Sequence, residues 1–79
     1  MKIKLLYFGQ VEEKVGISSE EIEITELFTS DDLMLMLHNK YPKLREIKFN
    51  TAVNQALIKS KTDLKDGFEV ALLPPFAGG

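Results

Sequence analysis

Residues 68–73 read Phe-Glu-Val-Ala-Leu-Leu and directly follow the turn-forming pair Asp66-Gly67. The last four of these residues are all apolar, so in a strand they would present apolar side chains to both faces of the sheet. Such a pattern is typical of a β-strand that is covered on both faces. We therefore predict an interior strand over Phe68–Leu73.

A second apolar strand is predicted at the start of the chain, over Lys2–Phe8. Ile3, Leu5 and Tyr7 share one face, while the other face is polar at first and apolar towards Phe8. This pattern predicts a central strand that is covered on both sides near Phe8. The two most apolar strands are expected side by side and parallel in the middle of a mixed sheet.

The main helix is predicted from Thr29-Ser30-Asp31-Asp32 to about Tyr41, where Pro42 stops it. Its apolar stripe needs a sheet to cover it. Five further segments complete the prediction: a short helix over Gln10–Val15, a hairpin strand over Glu20–Thr25, a helical turn over Lys43–Lys48, a third strand over Thr51–Ile58, and a connector over Lys59–Leu64.

This element order predicts an α+β fold, the β-grasp (ubiquitin-like) roll. The mixed sheet would carry one main helix packed across it. The predicted β-grasp domain spans residues 1–73, and an extended C-terminal tail spans residues 74–79.

The tail reads Pro74-Pro75-Phe76-Ala77-Gly78-Gly79. Two prolines favour an extended path, and glycines without a Cβ can pass through a gap too narrow for a side chain. At about 3.1–3.5 Å per residue, six residues reach about 20 Å, enough to deliver a terminal carboxylate into another protein's active site. The alternative interpretation is a frayed terminus.

Composition narrows the possible functions. A chain of 79 residues with a thin core favours a carrier, adaptor or subunit over a self-contained enzyme. A net charge of −2 argues against nucleic acid, and no apolar run is long enough to span a membrane. The absence of cysteine and the single histidine, His38, argue against thiolate or histidine metal sites, so we expect no metal. We also expect no signal peptide.

The tail suggests one kind of chemistry. A carboxylate becomes a useful electrophile when ATP converts it to an acyl-adenylate, which a sulfur or amine nucleophile can then attack. The sequence has no nucleotide-binding glycine loop, so we expect a partner to use the ATP and this chain to bind no cofactor.

The chain resembles the small, sulfur-carrier subunit of molybdopterin synthase over essentially its whole length. The matching segments are Leu5–Gln10, Val11-Glu12-Glu13, Val15-Gly16, Ala52-Val53-Asn54-Gln55 and Leu64–Ala71, and then the tail Pro74–Gly79. The ending that joins Asp66-Gly67 to Pro74-Pro75 and Gly78-Gly79 is the most specific part.

The resemblance implies a β-grasp fold and a reactive C-terminus at Gly78 and Gly79. In that family a partner adenylates the terminal glycine and converts it to a thiocarboxylate. The tail then donates sulfur to cyclic pyranopterin monophosphate inside the large synthase subunit, where the catalytic residues lie. The resemblance further implies a heterotetramer with two copies of each subunit, and we expect a cytoplasmic protein.

Apolar residues near the tail-bearing end are candidate partner contacts on physical grounds. These are Phe8, Leu57, Leu73, Pro75 and Phe76. Phe8, Leu57 and Leu73 are equally well interpreted as core residues. Glu12, Glu13, Glu20, Glu21 and Glu23 form an acidic cluster, interpreted as a solvated face or as a match to a basic partner.

Two other classes of function remain open. One is a different ubiquitin-like chain, either a thiamine-type sulfur carrier or a modifier joined to lysines. The other is a plain binding module whose tail does no chemistry.

Overall fold

The computed structural model describes residues 1–75. Its elements are, in order, β1 (Lys2–Tyr7), α1 (Gly9–Val15), β2 (Ser19–Glu23), β3 (Phe28–Thr29), α2 (Ser30–Lys40), a 3-10 helix (Pro42–Glu46), β4 (Asn50–Val53), β5 (Ala56–Leu57), β6 (Asp63–Leu64) and β7 (Glu69–Leu73).

The main sheet has five strands in the order β2-β1-β7-β4-β5. β1 and β7 are parallel neighbours at its centre, with Leu5 opposite Val70 and Tyr7 opposite Leu72. β2 pairs antiparallel with β1, and β4 pairs antiparallel with β7. The predicted β-grasp topology is therefore confirmed, including the parallel pairing of the first and last strands.

The core lies on one face of this sheet. Ile3, Leu5 and Tyr7 of β1 are buried there, as the alternation predicted, together with Leu33 and Leu37 of α2. The other buried members of this cluster are Val11, Ile24, Leu44, Val53, Leu64, Val70 and Leu72. Both α-helices thus contribute side chains to the same core.

The start of α2 confirms the predicted cap. The Thr29 hydroxyl oxygen accepts a hydrogen bond of 3.3 Å from the Asp32 amide, and the Asp32 carboxylate accepts one of 2.9 Å from the Thr29 amide. This reciprocal capping box satisfies two amides that lack partners within the helix. α2 ends at Lys40, two residues before Pro42.

The prediction of one strand over Thr51–Ile58 is wrong. β4 ends at Val53, and Asn54 and Gln55 both take positive φ angles, of 50° and 72°. The chain therefore turns back as a tight hairpin into β5. The Asn54 side-chain oxygen also accepts a 2.9 Å hydrogen bond from the amide of Glu69, which ties the turn to β7.

The connector predicted over Lys59–Leu64 contains a short strand. β6 pairs antiparallel with β3, so that Leu64 lies opposite Phe28 and Asp63 lies opposite Thr29. Two-residue strands leave too short an alternation for a sequence pattern to show.

Candidate partner-docking face and tail base

The sheet face opposite the core is open and largely apolar. It forms a shallow cleft of about 420 Å³ that lies across β1, β7 and the β4–β5 hairpin. The residues that line it are Leu6, Phe8, Ala52, Gln55, Leu57, Glu69, Ala71 and Leu73. We call this surface the apolar face.

The expectation that β1 is covered on both sides near Phe8 is wrong, and so is the same expectation for β7. Phe8 is 43% exposed, and Ala71 and Leu73 of β7 are only partly buried. Both helices pack on the other face, where Val70 and Leu72 are fully buried. The apolar residues of β1 and β7 whose side chains point away from the helices therefore remain open to solvent. Such an exposed apolar patch marks a candidate interface.

The structure brings three of the predicted contact residues together. Phe8, Leu57 and Leu73 all line the apolar face, and exposures of 43% for Phe8 and 52% for Leu57 exclude the core interpretation for those two. Leu73 is half-buried. Sequence reasoning did not identify Leu6, although its position two residues before Phe8 places it on the same face of β1.

Pro75 lies elsewhere. It is exposed and borders a second cleft of about 630 Å³, which is lined mainly by the segment from Leu44 to Asn50 and by His38. The tail therefore begins between two clefts. The other predicted tail residues, Phe76, Gly78 and Gly79, lie outside the described residues.

The base of the tail is packed against the end of β1. Gly9 has a φ of +56°, and a Cβ added there would lie 2.6 Å from Cγ of Pro74. The Phe8 amide donates a 3.2 Å hydrogen bond to the carbonyl of Leu72. Pro74 is accordingly half-buried, at the point where the chain leaves β7.

A polar cluster that the sequence did not predict joins β1, β2 and α2. One oxygen of the Glu20 carboxylate accepts hydrogen bonds of 2.6 Å from the hydroxyls of both Tyr7 and Tyr41. The other oxygen accepts one of 2.7 Å from Lys40. Glu20 thus does not belong to the solvated acidic face, and its position two residues before Ile22 was the sequence signal for an inward side chain.

The ionisation of this cluster is shifted by its burial and its hydrogen bonds. Burial alone would raise the pKa of the Glu20 carboxyl, but hydrogen bonds from Lys40, Tyr41 and Tyr7 outweigh it and lower that pKa. Burial, followed by the hydrogen bond to Glu20, raises the pKa of Tyr7. The cluster lies away from the apolar face, so we assign it a structural role.

Neither a metal-binding cluster nor a membrane-spanning helix occurs in the part of the chain that the structure describes. Residues 1–75 contain no cluster of histidine and acidic side chains that could hold a metal ion. Within the same residues, neither helix has the length and apolar character needed to cross a membrane. His38 is half-buried, and its ring lies edge-on to Phe49 at 6.4 Å between centroids.

Comparison with known proteins identifies the family. The model of the ThiS family matches residues 5–79. The molybdopterin synthase sulfur carrier subunit of Mycobacterium tuberculosis is 39% identical over all of this chain and 99% of its own length. The protein of the same name from Escherichia coli is 36% identical over 98% of this chain and 99% of its own length.

Solved structures agree with this relationship. A putative molybdopterin converting factor subunit 1 from Pyrococcus furiosus superposes with a TM-score of 0.88 at 29% identity, over 96% of this chain and 99% of its own. A chain from the complex of subunits 1 and 2 of the molybdopterin-converting factor of Helicobacter pylori gives 0.71 at 28%, with complete coverage of both. The small archaeal modifier protein 1 of Methanosarcina acetivorans gives 0.79 at 26%, over 99% and 96%. With the β-grasp topology, the exposed apolar face and these whole-length relatives, the chain belongs to the ThiS family.

Proposed function

We propose that this chain is the sulfur-carrier subunit of a molybdopterin synthase. In this role it carries sulfur as a thiocarboxylate on Gly79. The folded domain, residues 1–73, acts as a handle that partners recognise, and residues 74–79 act as an extended arm that enters their active sites. The chain works in the cytoplasm and contributes neither a metal nor a bound cofactor to the reaction.

One observation carries this proposal: the apolar face includes β7, the strand that leads into the tail. Leu73 ends β7 and lines the apolar face, and the Pro74-Pro75 pair follows it at once. A partner that covers Phe8, Leu57 and Leu73 is therefore positioned to receive the arm. Protein–protein interaction sites commonly expose apolar surface of this kind.

The proposed chemistry takes place on the arm and needs groups that partners supply. The Gly79 carboxylate attacks the α-phosphate of ATP in an activating enzyme, and pyrophosphate leaves. Sulfide then attacks the carbonyl carbon of the acyl-adenylate, so that a C–S bond forms, AMP leaves and the thiocarboxylate results. In the large synthase subunit the thiocarboxylate sulfur forms a C–S bond to cyclic pyranopterin monophosphate in place of one of its carbon–oxygen bonds. Water then cleaves the resulting thioester, which leaves the sulfur on the pterin and restores the Gly79 carboxylate.

The relatives support a large-subunit partner. The Helicobacter pylori structure is described as a protein–protein complex of subunits 1 and 2. We propose the same pairing here, as a heterotetramer with two copies of each subunit. Phe8, Leu57, Leu73, Pro75 and Phe76 would contact the large subunit, while Gly78 and Gly79 would enter its active site.

The deciding experiment is a mass measurement on the C-terminal peptide. The chain is incubated with ATP, an activating enzyme and a sulfur donor, and the peptide that contains Gly79 is isolated by proteolysis. We expect one oxygen to be replaced by sulfur. Isolation is essential because oxidation of any of the three methionines would add a similar mass elsewhere. An unmodified carboxylate, with an activating enzyme that modifies another carrier, would contradict the proposal.

A second candidate function is protein modification, because the Methanosarcina acetivorans relative is named a modifier protein. In that case the activated Gly79 would form an isopeptide bond with a lysine amine of another protein. Immunoblots of cell extract would then show a ladder of heavier conjugates that disappears when Gly79 is deleted. A thiamine-type sulfur carrier would instead give the same thiocarboxylate without transfer to the pterin.

A further inference from the structure

We infer that Gly9 is a positioning residue for sulfur transfer, because the space left by its missing side chain holds Pro74 and so sets the direction in which the arm leaves the fold. This inference rests on the proposed function, since it concerns how the arm is presented to the large subunit. It assigns a role to a residue outside the arm and outside the apolar face.

A side chain at position 9 would not fit beside Pro74. A Cβ on Gly9 would lie 2.6 Å from Cγ of Pro74, with the other two nearest ring atoms at 3.6 and 3.8 Å. Carbon atoms that are not bonded prefer separations of about 3.5–4.0 Å. The proline ring therefore occupies the volume that any side chain at position 9 would need.

The other described glycines show that this contact is particular to Gly9. Gly16 and Gly67 also have positive φ angles, of +93° and +82°, but a Cβ at either would meet no atom within 4 Å. Their conformations explain why glycine suits those turns. At Gly9 there is a second reason for glycine, which is that the ring of Pro74 fills the space a side chain would need.

The neighbouring contacts hold both sides of this joint. The Phe8 amide donates to the Leu72 carbonyl at 3.2 Å, which fixes the end of β1 against β7 just before Pro74. Gly9 is also the first residue of α1, whose Val11 is fully buried in the core. Pro74 is thus placed against a part of the domain that is itself anchored.

A small shift of Pro74 changes the direction of the chain at the base of the arm. To restore ordinary contact, a methyl group on residue 9 would displace the Pro74 ring by about 1 Å. Pro74 lies one residue, about 3.8 Å, beyond Leu73, so this shift corresponds to a rotation of about 15°. This rotation changes the direction in which the chain leaves Pro74.

The test compares Gly9→Ala with Gly16→Ala in a sulfur-transfer assay. Both variants place alanine at a positive φ, but only the first meets Pro74, so Gly16→Ala controls for backbone strain. The folding of each chain is checked by thermal melting, and each chain is then thiocarboxylated. Its concentration is varied in an assay with the large subunit and cyclic pyranopterin monophosphate, which gives KM and kcat. We expect Gly9→Ala to raise KM about fivefold with kcat within about twofold, because the misdirected arm enters its site less often.

A double variant separates positioning from general damage. Pro74→Ala removes the ring atoms that clash, so Gly9→Ala should change KM little when it is added to Pro74→Ala. The same pair built with Gly16→Ala should be additive. Non-additivity at Gly9 alone supports the inference.

Two failures can be distinguished. If the wild-type chain transfers sulfur but Gly9→Ala behaves as Gly16→Ala does, or its effect persists in full with Pro74→Ala, the inference is overturned and the proposed function stands. If the wild-type chain accepts no sulfur at all, the proposed function fails, and the inference falls with it.

Discussion

Tyr41, at the end of α2, donates a 2.6 Å hydrogen bond to the Glu20 carboxylate of β2, and the same carboxylate oxygen accepts one of equal length from Tyr7. The rings of Tyr7 and Tyr41 also meet edge to face, with centroids 6.2 Å apart. Glu20 therefore links the main helix to the edge of the sheet on the side away from β5.

Replacing Glu20 by alanine should destabilise the fold by about 2 kcal/mol, because two partly buried hydroxyls lose a charged acceptor. For a domain of this size we expect the melting temperature to fall by about 10 °C. Glu21→Ala is the matched control, since Glu21 is exposed on the same strand and should change stability by no more than about 0.5 kcal/mol. Equal urea midpoints for the two variants would show that the cluster contributes no stability.

The same cluster predicts how stability depends on acid pH. Hydrogen bonds from Lys40, Tyr41 and Tyr7 outweigh the opposing effect of burial and lower the pKa of Glu20 in the folded chain. A carboxyl with a lowered folded pKa contributes stability that is complete above its unfolded pKa and is lost as the pH falls through its folded pKa. The stability difference between the wild type and Glu20→Ala should therefore shrink on acidification below the ordinary glutamate range. Urea titrations at a series of pH values measure this, and a difference independent of pH would contradict it.

The β4–β5 turn predicts opposite effects at two adjacent residues. Asn54→Ala should destabilise the fold by about 0.5–1.5 kcal/mol, since the Glu69 amide loses an exposed hydrogen bond and alanine is less tolerant than asparagine of a φ of 50°. Gln55→Gly should stabilise it, by up to about 1 kcal/mol, because glycine relieves a φ of 72°. Denaturant unfolding of both variants gives the two signs, and a Gln55→Gly variant less stable than the wild type would contradict the expected relief at position 55.

The apolar face predicts a binding defect without a folding defect. Leu57→Glu should weaken binding of the large subunit at least about tenfold, because a charge would be buried in the interface. Leu57 is 52% exposed, so the melting temperature should hardly change. Leu35→Glu is the control, since Leu35 is 63% exposed on the helix side of the fold. Similar dissociation constants for both variants by calorimetry would remove the apolar face from the interface.

Lengthening the tail by one residue should abolish thiocarboxylate formation without affecting the fold. One alanine added after Gly79 should abolish thiocarboxylate formation, because the reactive carboxylate moves to a residue with a side chain and past its site. A glycine added before Met1 serves as the control for extension. Both chains should have the melting temperature of the wild type. A thiocarboxylate on the C-terminally extended chain would refute the proposed role of Gly79.

Much of the fold follows from local patterns. The alternation in β1 predicted that Ile3, Leu5 and Tyr7 face the core, and the capping sequence at Thr29 predicted where α2 begins. Both signals depend on neighbouring residues only, so the sequence displays them directly. The strand break at Asn54-Gln55 was missed because glutamine is not a typical turn residue, and its positive φ is imposed by the hairpin.

Only part of the candidate site could be predicted from local sequence patterns. Apolar residues at both parities of β1 and β7 predicted two covered faces, and the structure covers one with helices and leaves the other open. A sequence pattern registers that a face is apolar, but not whether the chain's own helices or another protein will cover it. The contact between Gly9 and Pro74 joins residues far apart in the chain, so no local pattern reveals it.

The central position of β7 also determines which fragments of the chain can fold. Without β7, the β2–β1 hairpin and the β4–β5 hairpin share no backbone hydrogen bonds, and the core loses Val70 and Leu72. A premature stop codon or a proteolytic cut before residue 69 should therefore leave an unfolded chain that cellular proteases remove. Truncated chains would then not compete with the intact protein for its partners, because no folded domain forms without the strand from which the tail departs.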